Sequence, residues 1–427
     1  MGKPLAGSRN SMHGLGVACG LAAGVWLGGA EAPTKLVSVG FSPFAISLCM
    51  VMGVFVGRWT VPTLFKGTDF IFADIFEKRH LILWAILAGA LWAVANTLTV
   101  FAIRNVGLAI AFPLWNTNSL VGLFWGWLLF HELRGGGARN WAKVLGGAIA
   151  IVAAAIMLGF VSMHGSTATH ERAVSGVVAA FGASLMWGTM YVPYRKAYLS
   201  GMNPLSFVTV FTLGELGTMA FLAVTLRGGL DPLLAELRLA RPAIFWLFLG
   251  GFCWVLGDLF QQYATKYIGI GRGIPLSNTN QLWGLGWGAL VFGELAGVQG
   301  TSRLLVVAGS AIMIVGALAI SSAVAPEDEQ AASQRVIARE CDRYGLDIHE
   351  ALAAQNGGAP SVDRNRKRAW WDYLIVAVAF GIFVWLAIGT RRLPLQMNLS
   401  WLGALTVVLA ISLFGCGWLL WKRTRFG

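Results

Sequence analysis

Apolar residues in this chain gather into long runs instead of alternating with polar ones or striping at helical spacing. Each run is roughly 18 to 24 residues, enough for a helix rising about 1.5 Å per residue to cross the hydrocarbon core of a bilayer. The runs predict spans at approximately 13–31, 40–58, 81–103, 107–130, 141–161, 174–194, 204–226, 243–264, 268–292, 303–323, 371–389 and 399–421. Lipid offers the backbone no hydrogen-bond partners, so twelve such runs predict an all-α polytopic membrane protein. One long polar segment, 324–370, interrupts the pattern. Its residues 327–354 read as a solvated linker helix that ends before Gly357, Gly358 and Pro360.

Composition agrees with a chain mostly in lipid, being 56% hydrophobic and 12% charged against about 25% charged in soluble domains. The net charge of +12 would suit a nucleic-acid partner, but lysines and arginines fall mainly between the apolar runs, where insertion places them. No nucleic-acid partner is expected. With the N-terminus inside, the inner segments hold most of the basic residues, which predicts a plasma-membrane protein with both termini cytoplasmic. The first run is read as the first span, not as a removed signal. Cys19, Cys49, Cys253 and Cys416 sit in apolar runs, so no disulfide framework is expected. The histidines show no metal-ligand spacing, and no zincin or phosphate-loop pattern occurs. The chain is therefore read as a non-enzyme without metal or cofactor.

The runs repeat. A shift of 162 positions pairs Trp92 with Trp254, Gly107 with Gly269, Pro113 with Pro275, Asn116 with Asn278 and Glu132 with Glu294. A similar shift pairs Gly16 with Gly176, Gly28 with Gly188, and "SPF" at Ser42 with "NPL" at Asn203. The unit is five spans, present at 13–161 and again at 174–323. An odd number of spans puts the second copy into the membrane upside down. The expected architecture is thus a ten-helix inverted repeat (5+5) with two extra C-terminal helices in 371–421, and inverted repeats are a common build of secondary transporters.

The repeated stretch carries the candidate chemistry. Pro113 and Pro275 kink helices at membrane depth and free carbonyls there. Asn116 and Asn118, with their copies Asn278 and Asn280, bring donors and acceptors together, as an uncharged polyol requires; interhelical bonding around a kink is the structural alternative. Gly122, Gly126, Gly284 and Gly288 read as packing residues. Glu132 and Glu294 read as interfacial markers. Asp258 and Glu215 lie mid-span, where an ionisable group is costly and by default points to function. Asp258 has the neutral Asn96 as its repeat partner, an asymmetry suited to coupling transport to protons, with an internal pairing to Lys266 or Arg272 as the alternative. Gln262 lies one helical turn beyond Asp258. Trp187 and Tyr191, also one turn apart, offer aromatic faces to a sugar.

Pro113 through Leu133 resembles the signature segment of the glucose/ribose uptake branch of the drug/metabolite transporter superfamily, and more distantly the L-rhamnose–proton symporter. The shared pattern is a proline, small polar residues, an apolar run and then Phe130-His131-Glu132, repeated as Phe292-Gly293-Glu294. The likeness covers about residues 13–323 and implies a central site between two halves, a monosaccharide cargo and a proton as coupling ion. Segment 324–370 and the last two spans depart from the family pattern. Other expectations stay open: an amino acid, nucleoside or amphipathic cation as cargo, or a membrane sensor or scaffold whose output is the polar segment. The sequence sets no oligomeric state.

Overall fold

The computed structural model describes residues 6–35, 41–133, 137–164, 170–297, 299–323, 327–358, 368–390 and 397–427. Among these the regular elements are all helical. They are α1 (Ala6–Ala30), the short α2 (Ala32–Lys35), α3 (Pro43–Lys66), α4 (Thr68–Glu77), α5 (Ile82–Val106), α6 (Leu108–Trp115) and α7 (Asn118–Phe130). Next come α8 (Ala138–His164), α9 (His170–Leu199), α10 (Pro204–Leu226), α11 (Leu230–Ile268), α12 (Ile270–Ser277) and α13 (Asn280–Gly286), the last running into a π-helical turn at Trp287–Val291. The remainder are α14 (Gly300–Ser321), α15 (Glu327–Tyr344), α16 (Ile348–Gln355), α17 (Trp370–Ile388) and α18 (Leu399–Thr424).

Ten helices among the described residues are long and apolar enough to cross a membrane. The other two expected spans are each broken. The 107–130 run stops at Asn116–Thr117 and the 268–292 run at Asn278–Thr279, three residues beyond Pro113 and Pro275. Gly107 and Gly269, at φ 81° and 83°, open both broken runs in a conformation that a side chain resists. The caps are matched as well. Ser42 Oγ accepts from Ala45 N at 3.2 Å ahead of Pro43, and Asn203 Oδ1 accepts from Leu205 N at 2.9 Å ahead of Pro204. Several expected boundaries were short, two of them by eight residues or more. The 40–58 span runs on to Lys66, and the 243–264 span begins at Leu230, because charged residues sit inside these helices instead of ending them.

The most extensive packings join a helix from α1–α8 to one from α9–α14: α1 on α11, α5 on α9, α8 on α14, α5 on α10, and α3 on α10 and α11. Two crossings are backbone on backbone. A Cβ at Gly53 would fall 2.0 Å from Phe248 O, and one at Gly251 would fall 1.9 Å from Met50 O. The α5–α10 crossing repeats this: a Cβ at Gly89 would fall 2.1 Å from Phe211 O, and one at Gly214 would fall 2.0 Å from Ile86 O. Only glycine allows such approach, and in lipid it maximises van der Waals contact between helices. Gly122 has the packing role expected of it, since its Cβ would meet Ile274 Cδ1 of α12 at 2.5 Å.

The polar segment is not a solvated linker helix. It forms two helices, and Ile337, Cys341 and Ala351 bury themselves against Leu199 at the end of α9. His80 stacks on Tyr344 with ring centroids 3.7 Å apart, and Lys196 Nζ lies 3.2 Å from Glu340 Oε2. The end of α18 turns under the same face. Asn203 Nδ2 and Tyr263 OH donate to Phe426 O at 2.9 and 3.2 Å, and Lys266 Nζ donates to Gly427 O at 3.0 Å. Apolar burial should dominate this docking over the part-exposed ion pair, which is worth about 1 kcal/mol or less. Leu199→Asp is expected to raise proteolytic cleavage within 327–358 several-fold, and Lys196→Ala to change it little, in a limited-proteolysis time course.

Candidate functional site

The two helix breaks meet and line a cavity of about 40 Å³, room for about three waters. Asn116, Asn118, Asn278 and Asn280 line it. They also bond to one another across the breaks. Asn116 Nδ2 donates to Asn280 Oδ1 at 2.6 Å. The Asn278 amide nitrogen lies within hydrogen-bond reach of Asn116 O, Asn118 Oδ1 and Ser119 Oγ, at 2.7, 2.6 and 2.5 Å. Both readings of these amides are therefore present at once: they are interhelical partners and they form the cavity wall.

The remaining wall is unequal on its two sides. Leu27, Glu31 and Thr99 face it from α1, its end, and α5, whereas Trp187, Tyr191 and Gln261 face it from α9 and α11. These are matched positions 160 to 162 residues apart, so the second set, with Trp254, supplies most of the aromatic surface, and Trp115 of α6 adds one indole from the first half. Trp187 stacks on Trp254 with centroids 5.7 Å apart at 27°, and Trp92 meets both edge-on at 5.6 and 4.9 Å. Tyr191 OH donates to Gln261 Oε1 at 2.6 Å, and Gln261 Nε2 donates to Ser277 Oγ at 2.5 Å. These bonds fix the ring and amide orientations that the cavity presents.

Behind Trp254 lies a buried charge cluster. Arg58 of α3 is fully enclosed, with its guanidinium carbon 3.9 Å from the Phe211 centroid and 5.3 Å from that of Trp254. Its Nη2 donates to Asp258 Oδ2 at 2.8 Å, and its Nη1 lies 3.4 Å from Glu215 Oε2. Gln262 Nε2 donates to the same Asp258 oxygen at 2.7 Å, and Tyr198 OH donates to Gln262 Oε1. The positions matched to Arg58, Glu215 and Asp258 are Met219, Val54 and Asn96, so the cluster exists on one side of the cavity alone.

Six of the eight residues expected to bind substrate line the cavity: the four asparagines, Trp187 and Tyr191. Gln262 and Asn96 do not; Gln262 belongs to the charge cluster, and Asn96 is buried with its Nδ2 unpartnered. Gln261, next to Gln262, takes its place. Asp258 pairs with Arg58, not with Lys266 or Arg272. The sequence reading put Arg58 at a span end, yet two carboxylates at membrane depth demanded a cation nearby. Glu132 is no interfacial marker either. It is buried and caps α12, accepting from Ile270 N at 3.1 Å and Gly271 N at 2.7 Å, where the helix dipole favours a carboxylate.

Each half of the chain matches a transporter family. Residues 35–161 match the family described as Sugar transport protein, and residues 174–321 match the EamA-like transporter family. The resemblance to the drug/metabolite transporters, read first from Pro113–Leu133, thus holds in both halves. Two curated relatives carry the name "Putative sugar uptake protein". The one from Listeria innocua is 22% identical over 64% of this chain and 88% of its own length. The one from Lactobacillus johnsonii is 34% identical over 20% of this chain and 31% of its own. A solved structure aligns over 79% of this chain and 97% of its own at 17% identity and a TM-score of 0.35, too loose a likeness to bear on the fold.

Proposed function

We propose that this protein carries a monosaccharide across the plasma membrane by alternating access, with uptake driven by protons and both termini cytoplasmic. The observation that carries the reading is the cavity at the paired helix breaks, where five side-chain amides and two stacked indoles converge. A sugar's hydroxyls both donate and accept, and amides do the same. Its C–H faces suit an indole. The sugar-transport match in the first half and the names of the two relatives support this cargo.

Residues 13–161 and 174–323 act in this reading as inverted halves that rock about the cavity. The recurrence of the glycine crossings at matched positions supports it. The helix breaks, with Pro113 and Pro275 just ahead of them, let each half change its opening without exposing unpaired backbone to lipid. Asp258 and Glu215 supply the carboxylates through which a proton gradient does work. A second reading, a cationic cargo such as an amphipathic amine, is favoured by one observation, the Glu31 carboxylate in the cavity wall.

The test is reconstitution into liposomes and uptake of a labelled panel of hexoses, pentoses and deoxyhexoses, with and without an inward proton gradient. Gradient-stimulated uptake of at least one sugar is expected, and no uptake or counterflow for any of them would overturn the reading. Within that assay Trp187→Ala should raise KM on the order of tenfold, the equivalent of about 1.4 kcal/mol. Asn278→Ala should lower the maximal rate as well, because it removes both N–H donors of an amide that lies within reach of three buried oxygens.

A further inference from the structure

The carboxylates at membrane depth do not play equal parts. The charged and titratable groups that face one another there are Arg58 on α3, Glu215 on α10, Asp258 on α11, and Tyr191, Tyr194 and Tyr198 on α9. With both carboxylates ionised, two negative charges would answer one positive charge in a place without water access. Burying an uncompensated charge is far costlier than taking up a proton to remove it. The cluster as built therefore calls for one proton.

Hydrogen bonding says which carboxylate takes it. Asp258 Oδ2 accepts from both Arg58 Nη2 and Gln262 Nε2, at 2.8 and 2.7 Å, and two donors aimed at one oxygen stabilise an anion. Neither oxygen of Glu215 accepts a hydrogen bond, and its 3.4 Å approach to Arg58 Nη1 lacks hydrogen-bond geometry. The Thr212 hydroxyl, one turn earlier in α10, is likewise buried without a hydrogen bond.

We infer that Glu215 carries the transported proton, and that Asp258 stays ionised as the fixed anchor of Arg58. This rests on the transport reading above and reverses the order of the two acids expected from sequence, where Asp258 stood first. Arg58 is then a positioning residue. When Glu215 releases its proton to the inner side, its anion competes with Asp258 for the guanidinium. That guanidinium lies behind Trp254, so its shift reaches the ring that the cargo meets. On the outer-facing return Glu215 takes a proton again and frees Arg58 to Asp258.

Infrared spectroscopy of the purified protein in nanodiscs at neutral pH tests the assignment without any transport. A protonated-carboxyl stretching band is expected, shifted by ¹³C at the glutamate side-chain carboxyl, unmoved by ¹³C at the aspartate one, and abolished in Glu215→Gln. A band that moves with the aspartate label, one that survives in Glu215→Gln, or no band at all overturns it. In liposomes, accumulation driven by an inward proton gradient should fall at least tenfold in Glu215→Gln, and accumulation equal to that of the unsubstituted protein would also overturn it. If the unsubstituted protein moves no sugar, the proposed function fails while the infrared result still decides where the proton resides.

Discussion

Asp258→Ala should lower stability by about 3–5 kcal/mol, the range observed when one partner of a buried ion pair is removed. The guanidinium of Arg58 would keep its place between Phe211 and Trp254 but lose its hydrogen-bonded carboxylate. Glu215, 3.4 Å away without a hydrogen bond, compensates only after moving. Gln262 loses its acceptor too, and with it the link to Tyr198. Thermal unfolding of the purified protein measures this directly. The double substitution Arg58→Met with Asp258→Leu should recover much of the loss, since apolar residues of similar volume replace buried pairs at little cost. A single variant as stable as the starting protein would mean that Glu215 alone already balances Arg58.

Gly251→Val should abolish the folded protein outright. Its Cβ would lie 1.9 Å from the Met50 carbonyl oxygen, and that oxygen belongs to helix backbone that cannot turn aside as a side chain would. Overpacking costs about 1–3 kcal/mol where side chains can yield and more where they cannot. Gly217→Ala, in the same bundle with nothing within 4 Å of its Cβ, is the control and should be tolerated. Size-exclusion profiles of solubilised membranes separate the outcomes. A sharp peak for Gly251→Val at the level of the control would show that the α3–α11 crossing can open without cost.

Run length made the spans legible in the sequence, because a bilayer imposes one minimum on every helix that crosses it. Charge misplaced two boundaries. Arg58, and Arg238 with Arg241, read as the ends of apolar runs although α3 and α11 continue through them. The docking of α15 and α16 was out of reach, since an amphipathic pattern says that a face is apolar but not what covers it; Leu199 is 138 residues before Ile337. In the site, the repeated Pro-x-x-Asn-Thr-Asn marked the cavity amides because both copies break their helices at the same place. Gln261 and Gln262 were harder to tell apart. Neighbours on a helix point about 100° apart; the i, i+4 spacing put Gln262 on the face of Asp258, but it did not say that this face meets the charge cluster and that of Gln261 the cavity.

The glycine crossings also fix an order of events during synthesis. Gly53 must wait for Phe248, and Arg58 for both of its carboxylates, because every one of these partners lies later in the chain. At about 5–20 residues per second the ribosome needs roughly 10–40 s to cover that distance. Over that interval the first five helices sit in the bilayer with grooved faces unfilled and an arginine unanswered. A chain that stops near residue 164 never leaves that condition, and membrane proteases would recognise it by those same features.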